Sequence, residues 1–169
     1  MTHAAKTRNW AKAPAFTLVE AAISTLIVSV MFVVALDTVG ASRLTQHRAA
    51  MITRGRFFAA VLMSEIRAQA YKDSATNPIF GPEVGESTAT RADFDDVDDY
   101  NGWSGPPTDR DGTALANSAG WTESVTVEWV ARLNPSSVQA TETGAKRITV
   151  IMKFNSVPEV TLGGIRTAW

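Results

Sequence analysis

Cysteine is absent from the 169 residues, which removes disulfides, thiolate zinc sites and a cysteine nucleophile from consideration. Histidine is scarce: only His3 and His47 occur, too few for a histidine-based catalytic triad or a histidine-rich metal centre. A nucleophile elbow, a phosphate-binding P-loop and a paired-carboxylate signature are also missing, so nothing in the chain points to an enzyme. An excess of positive charge is lacking too. The net charge of −1 argues against a general nucleic-acid binder. With 45% hydrophobic and 20% charged residues, the composition suits one folded domain plus a helix.

Apolar sequence is concentrated near the N-terminus. Phe16 to Leu36, FTLVEAAISTLIVSVMFVVAL, spans 21 residues with a single charge, Glu20. At about 1.5 Å per residue, a helix of this length covers roughly 30 Å, the thickness of a bilayer's hydrocarbon core. Apolar residues cover every face, whereas a soluble amphipathic helix would keep a polar stripe. A carboxylate within such a run is costly, which makes Glu20 a candidate functional residue. The run is longer than the apolar core of a secretory signal, and no A-x-A-like site closes its far end. Lys6, Arg8 and Lys12 precede it, while Arg43, Arg48, Arg54 and Arg56 follow. Charge alone therefore does not decide its orientation.

The basic leader Met1 to Ala15, followed by Phe16, Thr17, Leu18 and Glu20 at the head of the apolar run, resembles the N-terminus of type IV prepilins and type II secretion pseudopilins. The detailed match covers about 30 residues. One position departs from the family pattern: the residue before the cleavage point is usually glycine, and here it is Ala15. The resemblance implies that a prepilin peptidase cuts between Ala15 and Phe16 and methylates the new amino group of Phe16. It also implies that the apolar helix then leaves the inner membrane, through an assembly platform, for a periplasmic or extracellular filament of pilin or pseudopilin subunits. The N-terminus would lie in the cytoplasm. An ammonium at the tip of an apolar helix is expensive to bury unpaired, and Glu20 offers it a carboxylate from a neighbouring subunit. The alternative for Glu20 is a first-turn acid complementing the helix dipole.

Past Leu36, the apolar residues Leu44, Met51, Ile52, Gly55, Phe58, Leu62 and Ile66 recur at helical spacing. Arg43, Arg54, Arg56 and Arg67 lie off that stripe. The expectation is one helix over residues 16–71, with Pro14 suiting its start, Asn77-Pro78 marking a boundary beyond its end, and residues 16–36 spanning the membrane. Gly40 and Gly55 are interior breakers that could permit bending. Phe57, Phe58 and Met51 read as core, and His47 as an exposed helix residue.

Residues 72–120 read as an acidic loop region rich in glycine and proline, comparable to the variable loop that follows the long helix in pilins. Residues 1–77 carry a net +5, residues 78–112 a net −7 and the remainder +1. The basic helix and acidic loop are therefore expected to attract. Asp95, Asp96, Asp98 and Asp99 sit beside Asp93, and hard oxygen ligands at this density suit calcium. The EF-hand template fails, since Tyr100 and Asn101 occupy its third-ligand and glycine positions. A solvated loop, or one in contact with the basic helix, is preferred over a calcium site. Phe94, Tyr100 and Trp103 are expected to pin the loop to the core.

The last third, residues 121–169, alternates as β-structure. Val125, Val127, Trp129, Ala131 and Leu133 share one face of a first strand, Trp121 to Leu133. Asn134 to Gly144 reads as a turn or loop. Ile148, Val150, Met152 and Phe154 share a face of a second strand, Lys146 to Phe154. Asn155-Ser156 turns the chain into an edge strand around Gly163-Gly164, where Pro158 is tolerated. The expected fold is α+β and pilin-like: a long N-terminal helix on a small C-terminal antiparallel sheet. Two functions fit. One is a pilin-like structural subunit, a minor pilin or pseudopilin. The other is a membrane-anchored adhesion or DNA-uptake tip subunit that uses the acidic aromatic loop for recognition.

Overall fold

The computed structural model describes residues 16–74 and 79–168. The leader with Ala15, Pro14 and the Asn77-Pro78 boundary lie outside them. The elements are helix α1 (Leu18–Ala68), a single 3-10 turn (Asp98–Tyr100), and strands β1 (Ser104–Gly105), β2 (Trp121–Ala131), β3 (Asn134–Val138), β4 (Ala145–Phe154) and β5 (Val157–Thr167). The fold is α+β, with one long N-terminal helix and a small antiparallel sheet. Two compact units divide within the helix, one up to Gln46 and one from His47.

Helix α1 starts where its first free N–H groups find a cap. Thr17 Oγ1 accepts the N–H of Glu20 at 3.2 Å, and Thr17-Leu18-Val19-Glu20 has the spacing of a capping box. The helix ends at Ala68 rather than Tyr71 and runs unbroken through Gly40. Residues 16–46 are exposed throughout.

In the unit from His47, α1 buries Gly55, Phe58, Ala59, Leu62, Met63 and Ile66. Ala59 and Met63 join the expected stripe, while Ile52 and Phe57 turn outward; Phe57 is 60% exposed. Gly55 is a packing position rather than a bend. A Cβ there would come within 2.9 Å of the Trp121 ring, so only glycine lets the helix approach β2 this closely. The Trp121 ring also meets Phe58 edge-on at 5.9 Å.

The sheet order is β1-β2-β4-β5, with β3 paired to β2. Strands β2 and β4 pair from Trp121↔Phe154 to Trp129↔Lys146. Their inner faces present Val125 and Val127 beside Ile148, Val150 and Met152, all buried, as period-2 alternation predicts. The expected pattern fails at the end of β2. The register shifts between Val130 and Ala131, Val130 becomes buried, and Leu133 is fully exposed in the turn. Asn134–Val138 then returns as a strand instead of a loop. Asn155 and Ser156 both adopt positive φ, 47° and 70°, which matches the twist of a two-residue hairpin turn. Strand β5 continues through Gly163-Gly164 and forms the sheet edge. Pro158 is accommodated beside a register shift between Met152 and Lys153.

Candidate functional site

The described part of the N-terminal motif is Phe16, Thr17, Leu18 and Glu20. Phe16 is 70% and Leu18 86% exposed, and the large apolar side chains from Val19 to Val39 are likewise uncovered. Three hydroxyls in this stretch are satisfied within the helix. The hydroxyls of Thr25, Ser29 and Thr38 donate to carbonyls three or four residues back, at 2.9, 2.7 and 2.8 Å. Such internal satisfaction suits an environment without water. The helix reaches a mean hydropathy of 2.3 over its most apolar 18 residues, and is long and apolar enough to cross a membrane. Glu20 occupies the third helical position, where its N–H is held by Thr17 and its side chain stands exposed.

Part of the acidic region is built into the fold rather than solvated. Asp96, Asp98 and Asp99 are buried, as are Phe94, Val97 and Tyr100. Ala70, just past the helix, forms a parallel bridge with Asp96. Trp103 and Gly102 exchange backbone bonds with Val125 on β2. The aromatics pin the segment as expected: Phe94 meets Tyr100 at 5.1 Å and Trp103 at 6.0 Å, both edge-on.

The four calcium candidates part company. Asp98 pairs with Lys146 of β4, whose ammonium also bonds the carbonyl of Tyr71 and lies 4.5 Å above that tyrosine's ring. Asp96 Oδ1 accepts the N–H of Asp98 at 2.7 Å. Asp99 Oδ2 accepts the N–H groups of Asp95 and Asp96, each at 2.9 Å. Asp95 itself is exposed. Among the described residues, Asp99 comes together with Glu83 and Glu86: one carboxylate oxygen from each lies within 4.8 Å of the others. Burial, then the charges of Asp99 and Glu86, push Glu83 up to about 7. Burial and the neighbouring Asp98 push Asp96 up to about 8.

Arg91 is the hub that a reading of charge runs misses. Buried at 1% exposure, it grips Glu65 of α1 through Nε at 2.8 Å and Nη2 at 3.0 Å, a bidentate fork. Its Nη1 reaches Glu123 of β2 at 3.0 Å and Thr108 Oγ1 at 3.2 Å. Glu65 also accepts the Tyr100 hydroxyl at 3.0 Å. Helix, acidic segment and sheet therefore meet on one guanidinium. The ion pair runs opposite to the expected attraction, since the acid sits on the helix and the cation on the loop.

No family model, curated protein or solved structure matches the chain.

One cation shared by the buried Glu123 and the partly exposed Glu65 leaves a net negative charge. Burial accordingly pushes Glu123 up to about 7, against the pull of Arg91. A carboxyl raised from 4.5 to about 7 binds a proton more tightly folded than unfolded. Its contribution to stability is complete below pH 4.5 and fades as pH rises through 7. Glu83 and Asp96 act in the same direction. The melting temperature of the full chain is therefore expected to fall between pH 5 and pH 8, and Glu123→Gln to flatten that slope. A wild-type profile that rises over this range contradicts the assignment.

Proposed function

We propose that the chain is a pilin-like structural subunit, cut before Phe16, N-methylated there, and assembled through its apolar helix into a type IV pilus or type II secretion pseudopilus as a minor pilin or pseudopilin. The observation that carries this reading is the uncovered apolar rod headed by Phe16-Thr17-Leu18 and Glu20. A rod of this kind cannot stay in water as a monomer; it needs lipid first and neighbouring helices afterwards. Before assembly it sits in the inner membrane with its N-terminus in the cytoplasm. Its partners are a prepilin peptidase, an assembly platform and other pilin-type subunits. The burial of Phe94 and Tyr100 favours a structural role for the acidic loop over aromatic recognition at a filament tip.

The test is co-expression with a prepilin peptidase followed by N-terminal sequencing. The expected product begins at N-methylated Phe16, and Ala15→Gly is processed at least as fast. A chain that keeps its leader under conditions where a control prepilin is cut contradicts the proposal.

A further inference from the structure

The chain has no cysteine, yet one buried pair of side chains is placed as a covalent cross-link requires. Lys146 of β4 and Asp98 of the 3-10 turn lie 48 positions apart in sequence and meet with side chains 1% and 6% exposed. The Lys146 ammonium touches Asp98 Oδ1 and the carbonyl of Tyr71. The rings of Tyr71 and Phe80 lie 4.5 and 5.8 Å from it. Asp98 is oriented from its other side, since Oδ2 accepts the N–H of Gly81 at 3.3 Å. A second buried carboxyl stands beside it. Asp96 takes the backbone N–H of Asp98 at 2.7 Å and shares a side-chain hydrogen bond with its carboxyl. Burial, then that neighbour, raise Asp96 to about 8, so it keeps a proton at neutral pH. An amine, a carboxyl and a proton carrier therefore share one shielded site.

We propose that Lys146 Nζ and Asp98 Cγ join in an intramolecular isopeptide bond, with Asp96 moving the protons. The ion pair is itself the reactant, and no oxidant or co-substrate enters. The ammonium first passes a proton to Asp98 Oδ1, which leaves a neutral amine and a carboxylic acid. Burial makes this transfer easier than in water, because neither charge keeps its hydration. Nζ then attacks Cγ, and negative charge gathers on Oδ2, where the Gly81 N–H points. Asp96 protonates the Oδ1 hydroxyl, the Cγ–Oδ1 bond breaks, and one water leaves. The new amide nitrogen returns its extra proton to Asp96, which ends as it began. The product ties the acidic segment to β4 covalently, the kind of constraint a disulfide supplies in other chains. This inference rests on the buried pair and is independent of the filament reading.

The experiment uses the full chain, purified in detergent and denatured for intact-mass analysis, followed by tryptic mapping. The expected chain is lighter than its sequence by one water. Trypsin is expected to spare Lys146 and to release one branched peptide joining residues 92–110 to residues 133–147. Lys146→Met is expected to show the full mass. Asp96→Asn keeps the ion pair and the shape of the site, so it is expected to fold, as circular dichroism checks. At equal times after induction it is expected to close the bond about a hundredfold more slowly. A wild-type chain of full mass, with Lys146 open to trypsin after prolonged incubation at neutral pH, overturns the bond. Loss of water without the branched peptide, as when Asp98 cyclises onto its own backbone, overturns it too. Cross-linking of Asp96→Asn as fast as wild type overturns the role given to Asp96.

Discussion

Arg91→Ala is expected to cost about 3–5 kcal/mol of folding stability, the usual loss when one partner of a buried ion pair is removed. Most of that cost comes from what remains. Glu65 and Glu123 would face each other across the vacated space, and the Glu123 side chain is 2% exposed. Thr108 would lose the donors that now reach its hydroxyl and carbonyl. Against the 5–15 kcal/mol that holds a typical domain together, a loss of this size leaves the unit from His47 onward marginal. Arg91→Lys retains the charge but cannot reproduce the fork to Glu65 together with the reach to Glu123, so an intermediate loss is expected. The triple change Arg91→Met/Glu65→Gln/Glu123→Gln removes the charges together and should recover much of the stability lost in Arg91→Ala. Denaturant unfolding of the three variants checks the order. An Arg91→Ala chain within about 1 kcal/mol of wild type would show that the hub carries little.

Glu20→Ala has the second large effect, on assembly and not on folding. In the proposed filament the ammonium of Phe16 enters apolar surroundings and needs a carboxylate. Leaving it unpaired costs about 3 kcal/mol or more, which corresponds to roughly a hundredfold drop in incorporation. Cleavage should be unaffected, because the helix cap depends on the Thr17 hydroxyl and the backbone of Glu20. Glu20→Asp, with a shorter reach, should recover part of the assembly, whereas Glu20→Gln should behave nearly as alanine does. Quantifying processed subunit in membranes against sheared filaments separates the two steps. Wild-type incorporation of Glu20→Ala would remove the pairing role and leave the helix-dipole reading.

Where hydrophobic period dictated structure, the sequence was readable. The alternation through Val125 and Val127, and through Ile148, Val150 and Met152, placed the inner face of the sheet. The continuous apolar run marked the rod. The two residues at the Asn155-Ser156 turn were legible from their neighbours. Thr17-Leu18-Val19-Glu20 also carries a helix-start signal in its spacing, and Pro14 drew attention away from it. Long-range partnership was not legible. Arg91 looks like one cation in an acidic stretch, and Lys146 like the first residue of a strand. Only the fold brings Glu65, Glu123 and Asp98 to them. For the same reason the aspartates of residues 93–99 suggested a solvated loop, although three of them are buried. Asn134 to Val138, with Pro135 and two serines, has the composition of a turn. Pairing with β2 made it a strand because tertiary context overrode local preference.

The central claim is that a trimmed apolar rod packs beside others of its kind, and intact-mass analysis of the protein recovered from native surface or periplasmic filaments tests it most directly. The account predicts a subunit beginning at Phe16 and carrying one added methyl group, found in a polymer with other pilin-type chains. A full-length chain retaining Met1 to Ala15, recovered only as a membrane-bound monomer, would contradict it.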